Sequence, residues 1–311
     1  MSNMLVFPGQ GAQAVGMGRD LADGLPECRA LFDQAGEILG FDLLKLCAEG
    51  PIEELTKSSN TQPAIFTVST AARAALARVA GGTPAVAGAA GHSLGEWAAL
   101  HAAGVVSFAD AVRILQARGR FMQEACEAAP GGMLTVIGLT VEQVRDVAAA
   151  SGLEVANLNS PAQTVLSGPA DRLAAGEAAA KAAGAKRALR LAVAGAFHSS
   201  LMQPAAARLA DFLDGIEFRA PAFPVWSNVT GQPHAAEPGE IRRRMVEQVV
   251  RGVRWTDCFA GMAAAGMTAA FECGPGSVLA GLGKRIVPEV AVHGIFDLAG
   301  AREAATLFAG T

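Results

Sequence analysis

The sequence predicts an α/β fold, a larger domain carrying a small inserted βαββαβ domain, on three observations. A short apolar run, Met4 to Phe7, breaks into the glycine loop Pro8-Gly9-Gln10-Gly11-Ala12-Gln13, and helical patterns follow to about Ala80. A second apolar run, Ala85 to Ala90, breaks at Gly91-His92-Ser93-Leu94-Gly95 and resumes as a helix over Glu96 to Ala103. Between Pro130 and His198 the rhythm changes to strand, helix, strand, strand, helix, strand, the order of a ferredoxin-like unit.

In chain order, Met4 to Phe7 is a short buried strand, and Ala85 to Ala90 a second one feeding a turn and a helix. Ser107 opens the next helix, its hydroxyl capping the Asp110 amide and Asp110 answering it, and that helix runs to about Ala125. The insert then reads strand Met133 to Ile137, helix Thr140 to Ala150, strands Leu153 to Asn157 and Thr164 to Ser167, helix Asp171 to Ala183 and strand Arg187 to Leu191. Pro130-Gly131-Gly132 and Gly195 flank it, so residues 130–198 form the small domain and residues 1–129 and 199–311 a discontinuous large one.

Composition narrows the function classes. The 311 residues are 51% hydrophobic and 17% charged with a net charge of −4, which excludes a disordered chain and argues against a nucleic-acid binder. An anionic substrate would need a local basic site. Cys28, Cys47, Cys126, Cys258 and Cys273 are odd in number and form no C-x-x-C pair, so no disulfide framework or zinc site is expected and a reducing cytoplasm fits. The apolar start is too short for a signal segment, and the Ala-rich stretches are interrupted well before a membrane span's length.

Gly91-His92-Ser93-Leu94-Gly95 fits the G-x-S-x-G nucleophile elbow in its required setting between strand and helix, which makes the large domain α/β-hydrolase-like. The Leu94 amide, at the start of the new helix, is one candidate oxyanion donor. The Gln10 amide, between two glycines after the first strand, is another, against the plainer reading of an ordinary strand-helix turn. Of five histidines, His92 adjoins the serine, His101 lies roughly 12 Å along the helix, and His234 and His293 read as surface or satisfied core residues. His198 remains as the base, where the insert returns to the large domain. No Asp or Glu between Ser93 and His198 stands out as a third triad member, so a dyad held by a backbone carbonyl is expected.

Arg118 sits on an apolar helical stripe with Ile114, Leu115, Phe121 and Met122, whereas Arg113 and Arg120 face polar neighbours. A guanidinium there needs an anion: either an internal carboxylate or the carboxylate of a substrate.

The motifs Phe7-Pro8-Gly9-Gln10-Gly11-Ala12-Gln13, Gly91-His92-Ser93-Leu94-Gly95-Glu96, Arg118-Gly119-Arg120-Phe121-Met122-Gln123 and Phe197-His198-Ser199 together resemble the malonyl-CoA:acyl carrier protein transacylase family along essentially the whole chain. The resemblance implies Ser93 as the acylated nucleophile, His198 as its base, Arg118 as partner of the malonyl carboxylate, and the Gln10 and Leu94 amides as the oxyanion hole. It adds Gln248, whose backbone carbonyl orients the histidine in that family. Phe197 before the histidine and Leu94 after the serine go with malonyl rather than methylmalonyl units in related polyketide acyltransferases. Gly195-Ala196 and Val250-Arg251-Gly252 depart from the commonest wording. The implied substrate is malonyl-CoA, the partner acyl carrier protein, with no resident cofactor, no metal and a monomeric enzyme; Lys186, Arg187, Arg190, Lys284 and Arg285 are candidate docking charges. A polyketide or malonate decarboxylase acyltransferase and a thioesterase-like hydrolase are the competing readings.

Overall fold

The computed structural model describes residues 2–309. Its strands are β1 (Ser2–Phe7), β2 (Gly88–Gly91), β3 (Gly131–Ile137), β4 (Glu154–Ser160), β5 (Gln163–Pro169), β6 (Arg187–Arg190), β7 (Val225–Trp226), β8 (Met267–Cys273) and β9 (Ala291–Ile295). Among the described residues they form a parallel sheet in the order β7-β2-β1-β8-β9 and an antiparallel sheet in the order β4-β5-β3-β6.

The parallel sheet is covered on both faces, and β1 shows why its sequence is an unbroken apolar run. Leu5 and Phe7 join the larger core, with the helices Ser58–Val79, Phe108–Ala128 and Gln203–Leu213, while Met4 and Val6 point into a second core with Trp255, Phe259 and Leu279. The strand β2 is shorter than the apolar run predicted it to be. Its residues are small because the neighbouring strand presses close: a Cβ on Gly88 would lie 2.7 Å from the Trp226 ring and 3.0 Å from the Pro224 carbonyl oxygen.

The chain leaves β1 for β2 on one side and, after β7, crosses back past β1 to β8 on the other, so a crevice opens at the carboxyl edge of the sheet beside β1, where open α/β sheets bind their ligands. Both glycine-rich turns, after β1 and after β2, lie on that edge. The helix Phe108–Ala128 starts at Ser107, whose hydroxyl accepts from the Asp110 amide at 3.0 Å. Asp110 answers through its carboxylate, which accepts from the Ser107 hydroxyl at 2.6 Å, and leaves the Ser107 amide untouched.

The antiparallel sheet carries the helices Val141–Ser151 and Leu173–Ala182 and has a core of its own, with Leu134, Val136, Val144, Val147 and Leu166. Thr140 and Gln143 form a reciprocal capping box at the first of these helices. Backbone bonds join this sheet to the rest: Val253 donates to the Ala156 carbonyl and accepts from the Leu158 amide, each at 2.8 Å. The Glu154 carboxylate also accepts from the Ser200 amide at 3.0 Å and from its hydroxyl at 2.6 Å. No helix among the described residues is long and apolar enough to cross a membrane.

Candidate active site

Ser93 stands between β2 and the helix Gly95–Ala102 with φ 52, a left-handed backbone on a residue that has a Cβ. The flanking glycines make the turn possible. A Cβ on Gly91 would collide with the Gly95 backbone, and one on Gly95 with the Phe7 carbonyl of β1. Asn228, just after β7, bolts the turn down: its Oδ1 accepts from the Ser93 amide at 2.7 Å and its Nδ2 donates to the Gly91 carbonyl at 2.8 Å.

His198 Nε2 lies 2.8 Å from Ser93 Oγ, and Nδ1 lies 2.9 Å from the Gln248 carbonyl oxygen. A carbonyl only accepts, so Nδ1 carries the proton and Nε2 presents a lone pair to the serine hydroxyl, the tautomer a general base needs. Burial, then the nearby Arg118 charge, push the imidazole down to about 3, against the raising effect of the Gln248 carbonyl. The imidazole is therefore neutral near neutral pH. His198 shares the left-handed backbone of Ser93, with φ 57.

Arg118 is 1% exposed, and its guanidinium meets neutral oxygens. Nη1 donates to Gln62 Oε1 at 2.7 Å; Nη2 donates to Gln248 Oε1 at 3.0 Å and to Ser93 Oγ at 3.2 Å. No carboxylate pairs with it among the described residues, and its Nε has no partner. Burial lowers it to about 10, so it remains a cation. A buried cation held by neutral groups beside a serine hydroxyl can receive an anionic group. Of the two readings the sequence left open, the internal ion pair is thus not the one found.

Beneath these residues lies Glu96, 0% exposed. Its Oε2 accepts from Gln248 Nε2 at 2.6 Å and from the Asn228 amide at 3.1 Å, and its Oε1 lies 2.6 Å from His234 Nε2. Gln248 Nε2 donates as well to the Ser93 carbonyl at 3.0 Å.

The site opens into a cleft of about 370 Å³ between the two sheets, walled by Gln10 and Arg118 on one side and by Met133, Asn157 and Leu191 on the other. The amides of Gln10 and Leu94 are engaged by no acceptor among the described residues, as donors for a transient oxyanion should be. Ser93, His198, Arg118 and Gln248 therefore come together in one cluster, with Gln10 at its rim. The suggested docking charges do not: Lys186 and Arg187 are exposed at the start of β6, Arg190 is exposed on the opposite face of that strand from Arg187, with its Nε 3.6 Å from the Glu177 carboxylate, and Lys284 and Arg285 lie at the end of the helix Val278–Ile286, where Arg285 donates to Gln163 Oε1 at 2.9 Å. Sequence reasoning missed Gln62, Asn228 and Glu96. Glu96 carried a usable signal, a charge in the apolar helix Gly95–Ala102, the same anomaly that singled out Arg118.

Comparison with known proteins agrees with this geometry. Residues 4–300 match the acyl transferase domain family. A malonyl CoA-acyl carrier protein transacylase of Escherichia coli K12 is 46% identical over 91% of this chain and 92% of its own. The crystal structure of an acyl carrier protein S-malonyltransferase from Vibrio cholerae superposes with a TM-score of 0.94 at 39% identity, covering 98% of this chain and 100% of that one. A malonyl-transacylase solved in complex with a type II PKS acyl-carrier protein superposes at 0.93 with 40% identity, over 99% of this chain and 100% of that one.

Proposed function

We propose, for a chain that belongs to the acyl transferase domain family, that it transfers the malonyl group of malonyl-CoA to the phosphopantetheine thiol of acyl carrier protein, in fatty acid biosynthesis. The observation that carries the reading is Arg118: a buried guanidinium beside Ser93 Oγ with no carboxylate partner among the described residues. A thioester whose acyl group ends in a carboxylate supplies the missing charge; an acetyl group does not.

Ser93 Oγ passes its proton to His198 Nε2 as it attacks the thioester carbonyl, and the Gln248 carbonyl, bound to Nδ1–H, supports the imidazolium that forms. The tetrahedral oxyanion faces the Gln10 and Leu94 amides. It collapses to malonyl-Ser93, and the proton on His198 leaves with the coenzyme A thiol. The carrier protein's thiol then gives its proton to His198 and attacks the ester, and collapse of the second oxyanion returns that proton to Ser93. A triad acid is unnecessary because a fixed carbonyl selects the tautomer. The five cysteines are buried free thiols, which supports a cytoplasmic setting.

The test is incubation with malonyl-CoA alone, followed by intact-mass measurement and peptide mapping, with acetyl-CoA and Ser93→Ala in parallel. A malonyl adduct confined to Ser93 is expected. Steady release of malonate with no adduct would move the protein to the hydrolases and overturn the reading.

A further inference from the structure

We infer that Glu96 is a positioning residue for malonyl selectivity: its buried carboxylate fixes which way round the Gln248 amide lies and so holds Arg118 beside the nucleophile. The inference rests on the clamp role proposed for Arg118.

Gln248 touches His198, Arg118 and Ser93 at once. Its backbone carbonyl accepts from His198 Nδ1, its Oε1 accepts from Arg118 Nη2, and its Nε2 donates to the Ser93 carbonyl and to Glu96. A side-chain amide fits its space either way round, and only one way serves this site. Turned over, it would set an NH₂ group against the guanidinium, donor facing donor, and release Arg118 from Ser93. The Ser93 carbonyl and the Glu96 carboxylate, both pure acceptors, require the amide nitrogen on their side. Of the two contacts the carboxylate's is the shorter, 2.6 Å against 3.0 Å, and it carries the charge.

Glu96 cannot swing away from this task. His234 Nε2 holds its Oε1 at 2.6 Å with both side chains almost wholly out of solvent, and the Asn228 amide holds its Oε2. Asn228 is also the residue that pins the Ser93 turn. One carboxylate oxygen thus gathers the support of the nucleophile and the support of the clamp. Its charge acts on Arg118 too, favouring the protonated guanidinium against burial.

The experiment compares Ser93 acylation by malonyl-CoA and by acetyl-CoA in the native protein, Glu96→Gln, Glu96→Asp and Arg118→Ala. Glu96→Gln keeps the size and one acceptor oxygen and removes the charge. It is expected to lose tenfold or more of kcat/KM on malonyl-CoA, chiefly through KM, while acetyl-CoA changes by less than threefold; Glu96→Asp recovers part of the loss. Parallel losses on both substrates would mean a merely structural carboxylate and overturn the inference. So would an unchanged malonyl preference in Glu96→Gln when Arg118→Ala has lost it. If Arg118→Ala itself keeps the preference, the clamp reading falls, and this inference with it. Should Glu96→Gln fail to fold, Glu96→Asp carries the same test: a preference shifted toward that of Arg118→Ala supports the inference, and a native preference overturns it.

Discussion

Malonylation of Ser93 should be insensitive to acid over a range in which an ordinary histidine base would fail. Burial and then the Arg118 charge hold His198 down at about 3. The base works only as the neutral imidazole, so activity is lost as pH falls through its folded pKa. At pH 5 an unperturbed imidazole is roughly 3% neutral, which would cut kcat/KM about 30-fold relative to pH 8. A base near 3 is about 99% neutral at pH 5, and even one unit higher it would be about 90% neutral, so the expected change is below a factor of about 1.2. The assay is single-turnover acylation by malonyl-CoA, quenched and read by intact mass, at subsaturating substrate from pH 8 to 5. Arg118→Gln removes the second cause of the depression, so its falling limb should move upward in pH while the native profile stays flat. A native profile that drops about 30-fold with an apparent pKa near 6.5 would refute the reasoning.

The same histidine bears on stability. Its folded pKa lies below its unfolded one, so its contribution is fully present above pH 6.5 and lost as pH falls toward 3; by pH 4.5 the native protein should have lost about 3 kcal/mol that His198→Gln retains, measured as urea unfolding against pH. Asn228→Ala strips partners from the buried Ser93 amide and Gly91 carbonyl, for a loss of about 2–5 kcal/mol in thermal or urea unfolding together with weak acylation; a native melting curve would refute the bolt. Gly95→Ala drives a methyl into the Phe7 carbonyl and forces the Ser93 turn away from β1, so at least about 1–3 kcal/mol of stability and at least tenfold in acylation rate should go, and a crystal structure should show the displaced turn.

The parts of the site that depend on local order were legible in the sequence. A glycine-flanked serine between an apolar run and a helical pattern specifies a turn, and the helical stripe around Arg118 specifies burial, because each constraint acts over a few residues. Contacts across the fold leave no such trace. Asn228 and Ser93 are 135 positions apart, and Gln248 and Glu96 are 152 apart; each pair meets only because β7 lies beside β2 and the chain returns from the helix Pro238–Glu247. Asn228 reads in sequence as a turn residue. Gln248 entered through family resemblance alone, and its side-chain role has no sequence signal. Strand limits were misplaced where residues are small: the run from Ala85 offered no β-branched side chains to mark a beginning, and pairing with β1 and β7 starts β2 at Gly88.

Ser93 and His198 are the non-glycine residues with positive φ among the described ones. Each left-handed backbone on an L-residue costs about 1–2 kcal/mol, a cost that glycine escapes. The two positions that perform the chemistry are therefore also two at which losing the chemistry relaxes the chain. A library of variants sorted for heat resistance alone would be drawn to glycine at Ser93, where little more than a hydroxyl goes with the strain, and yield a tougher, inert protein. Stabilising this molecule without silencing it requires that every round of sorting also demand an acylated serine.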